Sequence, residues 1–251
     1  MPTESETKNV LISGVSQGIG QATAELFSSE GWHVVGLDLQ KPSHDAVDEF
    51  WECDVSDTDT ISERVAALQL GGLHALVNNA AYQVCKPIAD LALEDWDRTM
   101  SVNVRGAFWL MHECAPLLAK KSGSIVNVSS VHAHATSRSI CAYATSKGAL
   151  VALSRSAALD LAPMGIRVNS VLPGAVDTPM LRAGFEREHL AEQDDADRFE
   201  TFEKRHPLGR VARPAEIARA ILYLADSSLS PYVTGQSLVV DGGVTARLST
   251  E

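Results

Sequence analysis

The sequence predicts an α/β protein in which a doubly wound parallel sheet carries helices on both faces, and two observations lead there. Short apolar, β-rich runs alternate with longer helical patterns along nearly the whole chain, the rhythm of βαβ units whose strands are buried on both faces. A glycine-rich turn, Gly14-Val-Ser-Gln-Gly18-Ile-Gly20, lies between the first apolar run and the first helical pattern, the place where a Rossmann-type sheet receives a dinucleotide. At 251 residues with 45% hydrophobic content the chain can bury a sizeable core, and one domain over 1–251 is expected.

The elements follow in order. A strand over Val10 to Ser13 runs into the glycine turn, and a helix from Gly18 to Glu30 begins on it. The strand His33 to Leu37 ends at Asp38, and a short strand containing Cys53 leads to Asp54-Val55 and a helix over Thr58 to Leu70. Leu73 to Val77 precedes Asn78-Asn79-Ala80-Ala81 and one long helix from Leu93 to Leu118. Ser124 to Val128 leads into Ser129-Ser130, and the helix from Ala142 to Leu161 carries Tyr143 and Lys147. Arg167 to Leu172 ends at the Pro173-Gly174 turn, and a helix over Pro214 to Leu224 and a strand over Ser237 to Val240 complete the alternation. The exception is Thr178 to Pro207, polar and charge-rich. Long irregular segments in compact domains often form lids, so a lid-like substrate segment is placed at about 175–210. Right-handed crossovers put ligands where the strand carboxyl ends meet the topological switch point.

Tyr143-Ala-Thr-Ser-Lys147 carries the chemistry. Residues four apart project from one helix face, so the ammonium can favour ionised phenol and bring a group of ordinary pKa about 10 toward the working range. Alone, this spacing also occurs on exposed helices that do nothing but meet solvent. In the order glycine turn, Asn78-Asn79-Ala80-Ala81, Asn103, Ser130, Tyr143 and Lys147, the chain resembles a short-chain dehydrogenase/reductase from about Lys8 to Gly243.

That resemblance implies Tyr143 as the acid/base, Lys147 as the residue that lowers its pKa and holds the nicotinamide ribose, and Ser130 as the donor to the reacting oxygen. The family spacing selects Ser130 over Ser129. Asn103 resembles the asparagine that holds a water linking the lysine to solvent, its alternative being helix packing. The cofactor contacts implied are Gly14, Gln17, Gly18, Ile19 and Gly20 in the turn, Asp54 and Val55 at the adenine, and Asn79 and Ala80 beside the ribose and central sheet. Pro173, Gly174, Val176 and Thr178 are implied at the nicotinamide. Ala81 replaces a more usual glycine.

Asp38 ends the second strand, where a carboxylate accepts from both adenosine ribose hydroxyls and repels a 2′-phosphate; capping the strand or facing water is its alternative. NAD is therefore expected over NADP, and Gln17 agrees, since NADP users of the family often carry a basic residue there.

A net charge of -11 disfavours nucleic acid as a partner. No apolar stretch is long enough to span a membrane, and Met1 to Lys8 has neither a basic n-region nor an apolar h-region, so a soluble cytoplasmic protein is expected. Cys53, Cys85, Cys114 and Cys141 lack metal or disulfide spacing. His132 and His134 supply too few ligands for a metal, so no metal is expected and both read as pocket-lining or loop positions.

Between Glu186 and Glu203 eight acidic residues stand against Arg187 and Arg198, a lid that repels polyanions or else a solvated helix face. With Asp38 this points to NAD-dependent oxidation of a small neutral alcohol, polyol, sugar or cyclic alcohol. An NADPH-dependent 3-oxoacyl-thioester reductase and a non-catalytic dinucleotide sensor are the alternatives. The resemblance also implies a homotetramer built on the long helices.

Overall fold

The computed structural model of the chain describes residues 7–184, 200 and 202–246. Seven strands form one parallel sheet, β1 (Asn9–Ser13), β2 (His33–Asp38), β3 (Glu49–Glu52), β4 (Ala75–Asn78), β5 (Ser124–Val128), β6 (Arg167–Pro173) and β7 (Ser237–Val240). Their order is β3-β2-β1-β4-β5-β6-β7. The chain winds outward from β1 in one direction and from β4 in the other, so the switch point lies between these two, which pair in parallel from Val10 with Ala75 to Ile12 with Val77. β1, β4, β5 and β6 are buried along their whole lengths, as continuous apolar runs in a covered sheet should be.

The helices are α1 (Gly18–Ser29), α2 (Thr58–Ala67), α3 (Leu93–Met100), α4 (Ala107–Ala119), α5 (Cys141–Leu161), α6 (Pro179–Gly184) and α7 (Pro214–Ala225). On one face α1 packs on α7, with Phe27, Val34, Ile217 and Ile221 fully buried between them and the sheet. Leu110, Leu118, Ile125 and Val168 build the core of the other face, under α2, α4 and α5. Local chemistry sets the helix starts. Asp57 caps α2 by accepting from the Thr60 N–H at 3.2 Å, and α7 opens on Pro214, with Glu216 reaching back to the Arg213 N–H at 2.8 Å.

The expected long helix from Leu93 to Leu118 is interrupted. Ser101–Gly106 is wound as a π helix, a local widening that favours functional sites. Two contacts hold it there. The Asn103 amide is bound by a neighbouring loop and by α5, and Gly106 is pressed so closely on Val55 that a Cβ would lie 2.7 Å from the Val55 carbonyl oxygen. Helical periodicity is nearly blind to one extra residue per turn, which is why the sequence reads as continuous. β3 ends at Glu52, so Cys53 follows the strand instead of lying within it.

Candidate active site

At the carboxyl ends of the strands, over the switch point, a cleft of about 880 Å³ opens. Its floor is the glycine turn. Gly14 and Gly18 have φ of +75° and +57°, a region that costs a side-chain-bearing residue strain. A Cβ on Gly14 would stand 2.9 Å from Ala80 Cα, and one on Gly20 would collide with the Gly14 carbonyl oxygen. The backbone is therefore open to a ligand on one side because it is in contact with itself on the other.

Polar contacts pin the turn to β4. The Asn79 amide donates to the Ser13 and Gly14 carbonyls at 3.1 and 2.9 Å, and the Asn79 and Ala80 N–H groups both donate to Ser13 Oγ at 3.0 Å. Gln17 precedes α1 in extended conformation without a side-chain cap. The first N–H groups of α1 are thus available to an anion, and the helix dipole favours one. This cradle fits a dinucleotide pyrophosphate.

Asp38, the last residue of β2, lines the cleft, its carboxylate accepting from the Ser16 and Gln40 N–H groups at 3.0 and 3.2 Å. These bonds fix its orientation. Val55 is buried, and Asp54 is already engaged. It accepts from the Ser56 N–H and hydroxyl at 2.8 and 2.7 Å and pairs with Arg98 Nη2 at 2.8 Å. Burial alone would raise the Asp54 pKa, but these hydrogen bonds and the Arg98 charge outweigh it and lower the carboxyl below its ordinary value. Arg98 comes from α3, far along the chain, and no local pattern marks it as a partner.

Ile19, Pro173, Gly174, Val176 and Thr178 line the same cleft. Gly174 lies against Asp241, whose Cα would be 2.8 Å from a Cβ there. Thr178 Oγ1 accepts from the Leu181 N–H at 3.3 Å and so starts α6. A Cβ on Gly18 would be 3.1 Å from the Thr178 methyl, so this turn closes over the glycine loop.

Ser130, Tyr143 and Lys147 meet at the ends of β5 and α5, with 7%, 8% and 2% of their surface exposed. Lys147 Nζ lies 5.5 Å from the centre of the Tyr143 ring and donates to the Val128 carbonyl at 2.7 Å. Burial pushes the Tyr143 phenol up to about 12, against a smaller downward pull from its hydrogen bond with Ser130, and pushes the Lys147 ammonium down to about 7. The upward direction for Tyr143 comes from desolvation of the phenol in the core.

Ser129 and Ser130 take different tasks. The Ser129 hydroxyl donates to the Lys147 carbonyl at 2.8 Å and braces α5, whereas Ser130 faces Tyr143 and its Oγ accepts from the His132 N–H at 3.2 Å. Asn103 is 1% exposed, and its amide is fully occupied. Oδ1 accepts from the Tyr82 N–H at 2.7 Å, and Nδ2 donates to the Tyr82 carbonyl and Ser146 Oγ, both at 2.9 Å. Its side chain ties the π helix to α5 through Ser146, one residue before Lys147, and bonds Tyr82 and Ser146 instead of the lysine itself.

His132 lines the cleft, its ring edge-on to Tyr143 with centres 6.0 Å apart. The cleft is also lined by residues that the reading of the sequence did not single out, Phe202, Arg205, His206, Val244 and Thr245. The positive φ of Gly242 and Gly243 bends the end of the chain back over the cleft, and the Gly-Gly pair was the available signal. Among the described residues no group of three His, Cys, Asp or Glu side chains could hold a metal ion. Of the eight acidic residues from Glu186 to Glu203, all but Glu200 and Glu203 lie outside the described residues, and no described helix is long and apolar enough to cross a membrane.

Comparison with known proteins agrees with this geometry. The family profile described as enoyl-(acyl carrier protein) reductase matches residues 14–245. The chain is 38% identical to the 2,3-dihydro-2,3-dihydroxybenzoate dehydrogenase of Escherichia coli, covering 95% of this chain and 97% of that one. It is 37% identical to a 3-oxoacyl-(acyl-carrier-protein) reductase of Thermotoga maritima, covering 95% and 98%. The ligand-free aldohexose dehydrogenase of Thermoplasma acidophilum superposes with a TM-score of 0.91 at 33% identity, over 97% of this chain and 96% of that one.

Proposed function

The chain belongs to the short-chain dehydrogenase/reductase family of NAD(P)-dependent oxidoreductases, and we propose that it uses NAD to oxidise a small secondary alcohol of the polyol, sugar or cyclic type. The observation that carries the reading is the placement of Asp38 and the Ser130, Tyr143, Lys147 group along one cleft. Asp38 ends β2 and Ser130 follows β5, three strand spacings away in the sheet order, so an extended dinucleotide laid over the glycine turn reaches from one to the other.

Bound NAD would supply the hydride acceptor. The protein supplies the rest. Ser130 Oγ holds the substrate oxygen, and Tyr143 takes its proton as the carbon gives up hydride. Lys147 is the cation beside the ring, able to favour phenolate while charged and to hold the nicotinamide ribose. Asn103 positions α5 through Ser146. Gln17, Ile19, Gly20, Asn79 and Ala80 shape the phosphate and ribose end, and Thr178 closes the nicotinamide end. The Asp38 carboxylate accepts from ribose hydroxyls and opposes a 2′-phosphate.

Turnover of a panel of cyclic alcohols, polyols and sugars, with NAD and NADP in parallel, tests this. Tyr143→Phe is expected to lower kcat/KM by about 10²- to 10⁴-fold, and Asp38→Ala to erode the preference for NAD. Tyr143-independent turnover, or preference for NADP, contradicts it. The Thermotoga relative supports a second reading, reduction of a 3-oxoacyl thioester with NADPH, which the same assay run on acetoacetyl thioesters separates. A sensing role predicts instead that Tyr143→Phe leaves biological output unchanged.

A further inference from the structure

The described carboxylates that line the cleft are Asp38 and Asp54, and both stand at its adenosine end. The rest of its described lining carries none. It carries Arg205, an exposed guanidinium that lines the cleft and makes no ion pair among the described residues. The other cations of the cleft are committed, Arg98 to Asp54 and Lys147 to the Tyr143 group.

Arg205 stands on a built support. Its N–H donates to the Phe202 carbonyl at 3.1 Å, and the His206 N–H donates to the Glu203 carbonyl at 2.9 Å. His206 is buried, its Nδ1 2.9 Å from the Phe202 carbonyl and its ring edge-on to Phe202 at 4.9 Å. A carbonyl only accepts, so Nδ1 carries the proton. The next residues, Pro207 and Leu208, pack on Gly243 and Gly242, where added Cβ atoms would lie 3.3 and 3.7 Å away. The turn that presents Arg205 is thereby fastened to the segment that brings Val244 and Thr245 to the same cleft.

We infer that the alcohol oxidised here carries a carboxylate, anchored by Arg205 while its hydroxyl meets Ser130 and Tyr143. A guanidinium fork matches one carboxylate bidentately, and Met180, Leu181 and Phe202, which line the same cleft, offer apolar surface to a carbon skeleton. The inference rests on the dehydrogenase reading and replaces the expected neutral substrate. That expectation drew on the acidic stretch, whose two described members, Glu200 and Glu203, do not line the cleft.

The test pairs hydroxy acids with their methyl esters, using 2-hydroxybutyrate, 3-hydroxybutyrate, gluconate and 3-hydroxycyclohexanecarboxylate on the full chain with NAD. An acid is expected to exceed its ester in kcat/KM. Arg205→Gln is expected to raise KM for that acid about 10- to 100-fold, the range of a hydrogen bond to a charged group, with a smaller change in kcat, and Arg205→Lys to recover part of the loss. Ester turnover equal to acid turnover overturns the carboxylate anchor and leaves the dehydrogenase reading standing. An acid preference that survives Arg205→Gln overturns the assignment to Arg205. If neither member of any pair is oxidised, calorimetry of acids and esters against the NADH-loaded protein decides, and no acid binding more tightly than its ester overturns the inference.

Discussion

Lys147 shows how a spacing read correctly can act through different physics. Tyr143 and Lys147 share a helix face as their four-residue separation requires, yet both lie in the core, and burial moves the lysine from 10.5 to about 7 and the tyrosine from 10 to about 12. For Lys147 the folded chain binds fewer protons than the unfolded chain between pH about 7 and 10.5. Its contribution is therefore present above 10.5, shrinks as pH falls through that window and is lost below about 7, a difference on the order of a few kcal/mol. Tyr143 has the opposite sign, its contribution intact below pH 10 and lost as pH rises through about 12. The urea midpoint of the wild type should then rise between pH about 7 and 9, and Lys147→Met should flatten that rise. An equal slope in the two proteins would show that the ammonium is solvated. The spacing was legible in the sequence; the desolvation was not, because it depends on Val128, Ser129 and the rest of the core around α5.

At the scale of elements, most boundaries follow from apolar runs and turn residues, and the failures share a cause. The π turn at Ser101–Gly106 exists because Asn103 is bound by Tyr82 and Ser146 from two other segments, and such tertiary partners leave no periodic trace. Arg167 is a second case. The first residue of the strand expected over Arg167 to Leu172, it is 8% exposed and donates from Nη1 to the carbonyls of Leu224 and Val233 at 3.0 and 3.1 Å, and from Nη2 to the carbonyl of Ala225 at 3.4 Å. It closes the C-terminus of α7, where orphan carbonyls and the helix dipole favour a cation. Arg167→Met should lower stability by about 2–3 kcal/mol, the scale of hydrogen bonds to a charged group, read as a lower urea midpoint. A loss below about half a kcal/mol would mean that water satisfies those carbonyls equally well.

For the whole molecule, several helices leave large apolar side chains exposed. Leu93, Phe108 and Leu159, on α3, α4 and α5, are 69%, 46% and 78% exposed. Large exposed apolar side chains favour association where they gather, and the homotetramer expected from the family resemblance would cover these three. Light scattering should give a tetramer for the wild type and smaller species for Phe108→Glu with Leu159→Glu; a monomeric wild type at assay concentration would contradict this. By itself the sequence determined the alternation of strands and helices, the glycine turn, Asp38 at a strand end and the serine, tyrosine, lysine order, because each is local: a period, a missing Cβ, a fixed spacing on one helix. The tertiary structure alone decided which charges are buried, that Arg98 holds Asp54, that Asn103 braces α5, and that Arg205 faces the cleft. Those outcomes depend on segments far apart in the chain being brought within a few ångströms, where desolvation and pairing are set by neighbours that no local pattern names.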